Sequence, residues 1–152
     1  MAISEERDRN GESDTSRFLV AGAVRSLWVR TQQGRLAEAM PALRHRIESA
    51  ANVIVESNSV LKFLRPNLYL TVLDPARADF KNSAREFLDQ ANAVILHGSG
   101  NGESAAWQGV SLKPVADRPI FRIAAPPYMT QEIVEFVREA LEAKIMPLRT
   151  EN

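Results

Sequence analysis

The chain predicts an α/β fold: a mostly parallel sheet of about five strands with helices on both faces. Three observations carry this expectation. Residues 52–56 (Asn-Val-Ile-Val-Glu), 68–73 (Leu-Tyr-Leu-Thr-Val-Leu) and 93–96 (Ala-Val-Ile-Leu) are short, nearly uninterrupted apolar runs, the mark of strands buried on both faces. Apolar residues between and after these runs recur at spacings of three and four, which puts them on one side of a helix. Strand and helix signals alternate along the chain, as they do where crossover helices link parallel strands.

Taken in order, residues 1–13 are polar and charged, with Ile3 the only large aliphatic after Met1, and are expected to form a disordered tail. Asp14 is placed to cap a short helix over 15–23, which offers Phe18 and Leu19 to a core and ends at Gly22. Residues 26–30 (Ser-Leu-Trp-Val-Arg) read as a strand. Leu36, Met40, Leu43 and Ile47 form the apolar stripe of a surface helix over 35–51, whose other side carries Glu38, Arg44, Arg46 and Glu48. After the 52–56 run, residues 59–64 have room for one or two helical turns, stopped by Pro66. Beyond the 68–73 strand, Phe80, Ala84, Phe87, Leu88 and Ala91 make a second stripe, with Asp79 as its cap. The 93–96 strand runs into the loop His97-Gly-Ser-Gly-Asn-Gly, residues 103–118 show no period, and residues 119–124 predict a last strand. Thr130 caps a closing helix with Ile133, Val137, Leu141 and Ile145 inward, ending near Pro147. The domain is thus expected over 14–147, with 148–152 as a C-terminal tail.

Composition narrows the function classes. The 152 residues suffice for one domain with a hydrophobic core. Nineteen basic and nineteen acidic side chains leave no net charge, which argues against holding nucleic acid or an anionic membrane by charge. No cysteine is present, so disulfides, thiolate metal sites and thiol nucleophiles are excluded. No apolar run approaches the roughly 18–20 residues that span a bilayer. The charged N-terminus is unlike a secretory signal, and a cytoplasmic location is expected.

Ligands in open parallel sheets sit at the carboxyl ends of strands, which directs attention to Glu56, Asp74 and His97–Gly102. Glu56 at a strand end has the chemistry to hold Mg²⁺, with Ser57, Asn58 and Ser59 beside it; the alternative is a local cap or pair. Asp74 before Pro75 is the pattern of a turn initiator, which is the favoured reading there. Gly98, Gly100 and Gly102 superficially match a phosphate loop, but Glu103 follows where a helix start and a lysine belong. Arg44, His45 and Arg46 read as a solvated helix face. His45 and His97 lack a partner at metal-ligand spacing. There is no Gly-x-Ser-x-Gly nucleophile elbow.

Asp14-Thr-Ser-Arg17, then Ala21-Gly22-Ala23, a Trp-bearing strand, a helix and Val53-Ile-Val-Glu-Ser-Asn58 together resemble the P-loop nucleotide-binding proteins of the SIMIBI class. The similarity is nearest to the adaptor proteins of molybdopterin-guanine dinucleotide biosynthesis and their uncharacterised relatives, and it runs from about residue 14 to residue 97. The resemblance implies that Glu56 takes the acidic, Mg²⁺-side position, that Asp14 and Arg17 form the first site segment, and that Ser57, Asn58 and Ser59 line the adjoining loop. It implies GTP or ATP as ligand, with a possible link to cofactor maturation.

The departures from that family are as informative. A phosphate loop needs Gly-x-x-x-x-Gly-Lys-Ser/Thr, whose backbone N–H groups cradle phosphates and whose lysine offsets their charge. The four lysines, Lys62, Lys81, Lys113 and Lys144, follow Leu61, Phe80, Leu112 and Ala143, so no Gly-Lys pair exists. A guanine-reading Asn-Lys-x-Asp is absent after Leu96. The expectation is an incomplete P-loop-NTPase-like domain, inactive as this chain alone, binding Mg²⁺ and GTP or ATP only if the phosphate-loop segment is supplied. An alternative is a non-enzymatic interaction module that uses an exposed sheet edge, its sheet completed by a homo-oligomer or a partner chain. Neither nucleic acid nor membrane is an expected partner. A small-molecule enzyme built on Asp74 and His97 is a third possibility, which needs those side chains within hydrogen-bond reach.

Overall fold

The computed structural model describes residues 1–77, 80–98, 111–124, 126 and 128–145, without the side chains of Lys144 and Ile145. Contacts gather into two compact units, Met1–Phe63 and Leu64–Asn152, and the 14–147 stretch spans both.

The first unit begins with a strand where the sequence predicted a disordered tail. β1 (Ala2–Glu5) pairs antiparallel with β2 (Leu27–Arg30), setting Ile3 opposite Val29 and Ser4 opposite Trp28. Ile3 is half-buried, and the ladder is extended by the Glu6 N–H donating to the Ser26 carbonyl at 2.9 Å. One aliphatic residue suffices here because backbone pairing with β2, rather than burial, holds the segment. This is a correction that composition could not supply.

α1 (Asp14–Val20) is capped by Ser13, not Asp14: the Ser13 hydroxyl accepts the Ser16 N–H at 3.1 Å. Asp14 lies in the first turn, where a negative charge meets the positive end of the helix dipole. The helix closes on Gly22 at φ +101°, with the Ala23 N–H returning to the Phe18 carbonyl (2.9 Å) and the Gly22 N–H to Leu19 (3.2 Å). That pair of bonds is a Schellman closure, which needs a residue tolerant of positive φ. α2 (Leu36–Ile47) buries Ala39, Met40 and Leu43 and accommodates Pro41 in its interior.

The run at 52–56 departs most from expectation. It forms no strand, and Val53, Ile54 and Val55 are 45, 80 and 46% exposed. The irregular stretch leads into a 3₁₀ turn, Ser59–Lys62, which buries Val60.

The second unit is a parallel sheet of three strands, β3 (Leu70–Leu73), β4 (Ala93–His97) and β5 (Ile120–Ile123), in the order β3-β4-β5. Leu70 pairs with Ala93, and Val94 with Ile120. Side-chain alternation splits the core between the two faces. Leu73 and Val94 meet Leu88, Ala91 and Val115 on one side, where two 3₁₀ turns, Leu88–Gln90 and Lys113–Val115, supply Leu88 and Val115; the short α3 (Asn82–Glu86) buries none of its residues. Ile95 and Ile123 meet Ile133 of α4 (Gln131–Ile145) on the other. The described residues are therefore α/β, but with three parallel strands and a separate antiparallel pair instead of one five-stranded parallel sheet. Asp79 as a cap, the loop beyond Gly98, the unpatterned stretch to residue 110, the helix end near Pro147 and the 148–152 tail lie outside the described residues.

Candidate functional site

The residues expected to hold a nucleotide lie on α1 and on the irregular stretch that leads into the Ser59–Lys62 turn. Asp14 and Arg17 lie one turn apart on α1 and pair with each other, Oδ1 to Nη1 at 3.1 Å, with both side chains about 70% exposed. The Arg17 Nε also donates to the Gly11 carbonyl at 3.1 Å. Such an exposed pair contributes little to stability, because water screens it. Glu56 and Ser57 are exposed on irregular chain, so Glu56 does not end a buried strand as the sequence suggested. Asn58, half-buried, precedes the 3₁₀ turn without capping it, and Ser59 is that turn's exposed first residue. Among the described residues no group of three or more acidic or histidine side chains is placed to hold a metal ion. A small open hollow is lined by Met1, Thr31, Gln32, Arg35 and Glu38, none of them an expected site residue.

A polar network that the sequence reading passed over ties β1 to α1. One Glu6 carboxylate oxygen accepts the backbone N–H groups of Arg7 and Asp8, each at 2.9 Å. The other accepts the Thr15 hydroxyl at 2.8 Å and the Ser13 hydroxyl at 3.3 Å. The bond from the Asp8 backbone, then Thr15 and the Arg7 backbone, hold the Glu6 carboxyl below the usual carboxylate range. Asn10 continues the chain: its side-chain oxygen accepts the Glu12 N–H (2.9 Å) and the Ser16 hydroxyl (3.2 Å), and Ser16 accepts the Gly11 N–H (2.8 Å). The signal was present in Asp8, Asn10 and Ser13, whose side chains accept nearby backbone N–H groups in turns, and in Gly11, which takes φ +76°. Every oxygen in this network serves the loop's own backbone and hydroxyls, which makes it a structural knot.

At the carboxyl ends of the parallel strands, the register sets Asp74 and His97 level on adjacent strands. Both are engaged locally. Asp74 opens a turn, accepting the Ala76 N–H at 3.0 Å and pairing with Arg77 at 3.3 Å. The His97 ring stacks on Tyr128 with centroids 5.8 Å apart. The glycines at 100 and 102 lie outside the described residues.

The outer edge of β3 is the other feature with chemistry to offer. Val94 donates its N–H to Pro119, and Gly98 to Ile123, so the even positions of β4 face β5 and the odd ones face β3. Tyr69 directs its carbonyl to Asn92. By strand alternation Thr71 and Leu73 also turn their backbone groups toward β4, while Leu70 and Val72 turn theirs outward. No strand pairs with that side among the described residues. β3 reads Leu-Thr-Val-Leu and carries no charge, proline or bulge to discourage pairing, and Val72 is 65% exposed. The opposite edge strand, β5, carries Arg122.

No helix among the described residues is long and apolar enough to cross a membrane. Comparison with known proteins returned no matching family model, no matching curated protein and no matching solved structure.

Proposed function

We propose that this chain is a non-enzymatic interaction module whose β3 edge accepts an extended strand from a partner. The observation that carries the reading is the outer side of β3, where Leu70 and Val72 present backbone donors and acceptors along an uncharged strand. Main-chain hydrogen bonds supply affinity in such strand addition, and the flanking side chains supply selectivity. The sheet carries an apolar cluster on each face, so an incoming strand that is apolar on both of its own faces would extend both. The nucleotide-binding reading rests on the resemblance alone and is the weaker of the two, since Glu56, Ser57 and Ser59 lie exposed on irregular chain and Asp14 is paired with Arg17.

The test is titration of labelled seven-residue peptides rich in valine and isoleucine against the chain, followed by fluorescence anisotropy. Binding is expected for the native chain and is lost in Val72→Pro, which removes an outward N–H without touching the ladder to β4. Binding that survives Val72→Pro would place the peptide elsewhere and defeat the proposal. For the nucleotide reading, the same chain is titrated with GTP and ATP in Mg²⁺, alongside Glu56→Gln; equal response of the two proteins removes Glu56 from any such site.

A further inference from the structure

We propose that the strand taken up by the β3 edge comes from a second copy of this chain, and that it is the segment 52–56. The inference rests on the reading of β3 as a strand acceptor and names its partner. Two surfaces of the same protein are complementary in kind. One is a four-residue edge strand with outward backbone groups at Leu70 and Val72 and no guarding charge. The other is Val53-Ile54-Val55, three consecutive β-branched residues that are 45, 80 and 46% exposed and lie in no ladder.

Consecutive β-branched residues favour extended backbone, and a run apolar at every position suits a strand covered on both faces. Val-Ile-Val offers apolar surface to either side of the sheet when laid along β3. Val72, 65% exposed on the α4 side of β3, is one of the side chains such a strand covers. Asn52 and Glu56 flank the run with polar side chains, which limits the strand to about the length of β3. Each copy carries one donor and one acceptor. Reciprocal exchange between two copies uses all four elements in a closed, two-fold dimer, whereas one-way donation would propagate into an open chain.

Two single-site variants test this because each disables one half of the exchange. Val72→Pro spoils the acceptor and keeps the donor; Ile54→Asp spoils the donor and keeps the acceptor. Both substitutions fall on exposed side chains, and circular dichroism of each variant establishes that it keeps the native fold. In sedimentation at tens of micromolar, the native chain is expected at twice its 16.9 kDa mass. Each variant alone is expected at the monomer mass. An equimolar mixture is expected to restore a one-to-one dimer, since one copy still donates and the other still accepts.

A native chain that sediments as a monomer overturns the proposal. So does a dimer that persists in both variants, because its interface then lies elsewhere, and so does a mixture that stays monomeric. The peptide titration separates the two levels of failure. A monomeric chain that binds apolar peptides in a Val72-dependent way keeps the strand-acceptor reading and loses only the second copy as partner. A monomeric chain that binds none loses both.

Discussion

Glu6 shows how one side chain organises a segment whose composition looks structureless. Its carboxylate takes four hydrogen bonds from residues 7–15, two from backbone N–H groups and two from hydroxyls. These bonds favour the ionised form, so the folded carboxyl titrates below its usual value of about 4.3. The sign follows from linkage: the stability it contributes is fully present above about pH 4.3 and is lost as pH falls through the lower, folded value. Amide exchange at Arg7 and Asp8 is therefore expected to speed up in that acid window. The Glu6→Gln variant should show weaker protection without that pH step, and an unchanged step would assign it to another group. Gly22 makes a second residue-scale prediction. Its φ of +101° costs a side-chain-bearing residue strain, although nothing lies within 4 Å of the added carbon. Gly22→Ala is expected to lower stability by about 1–2 kcal/mol, read from the denaturant midpoint.

Among the elements, the helices were the more legible. The stripe Leu36, Met40, Leu43, Ile47 predicted α2, and Met40 and Leu43 are its buried side chains together with Ala39. Ile133 on α4 is fully buried against Ile95 and Ile123, as its inward position in the periodic pattern suggested. Truncating it to alanine opens a cavity between α4 and the sheet, where Val137 and Phe136 also pack, and should cost about 2–5 kcal/mol. Pro41 sits in the α2 interior, where it has no N–H to donate to the carbonyl four residues back. Pro41→Ala is expected to stabilise the chain by about 1–3 kcal/mol, measured by thermal unfolding; a loss would show that the surrounding packing depends on the ring. The strands were legible in part, and the reason is physical. Helical hydrogen bonds are local, but a strand needs a partner that its own sequence does not specify. The runs at 68–73 and 93–96 found each other, whereas 52–56, with three β-branched residues at its centre, lies in no ladder, and β1 formed from a polar segment because β2 was there to receive it.

At the scale of the molecule, the same limit governs the candidate site. The expectation that Glu56 works as a strand-end acid depended on a strand at 52–56, and without that strand Glu56 is an exposed side chain on irregular backbone. Asp74 and His97 were legible as strand-end positions because their strands formed, and both are occupied by local turns and stacking. What the chain leaves available is pairing capacity: an uncharged edge on β3 and an exposed β-branched run in the other contact unit. Both are hazards in a solitary protein, since open edges and apolar runs invite association. They are consistent with one another when association is the function.

Residue-resolved hydrogen exchange across β3, on protein dilute enough to keep copies apart, tests this most directly. Thr71 and Leu73 donate toward β4, while Leu70 and Val72 face the open side, so the account predicts slow exchange at 71 and 73 and fast exchange at 70 and 72. Raising the concentration, or adding an apolar strand peptide, should slow positions 70 and 72 toward their neighbours. Uniform protection of all four amides in the dilute chain would mean that the edge is already filled, and would contradict the account.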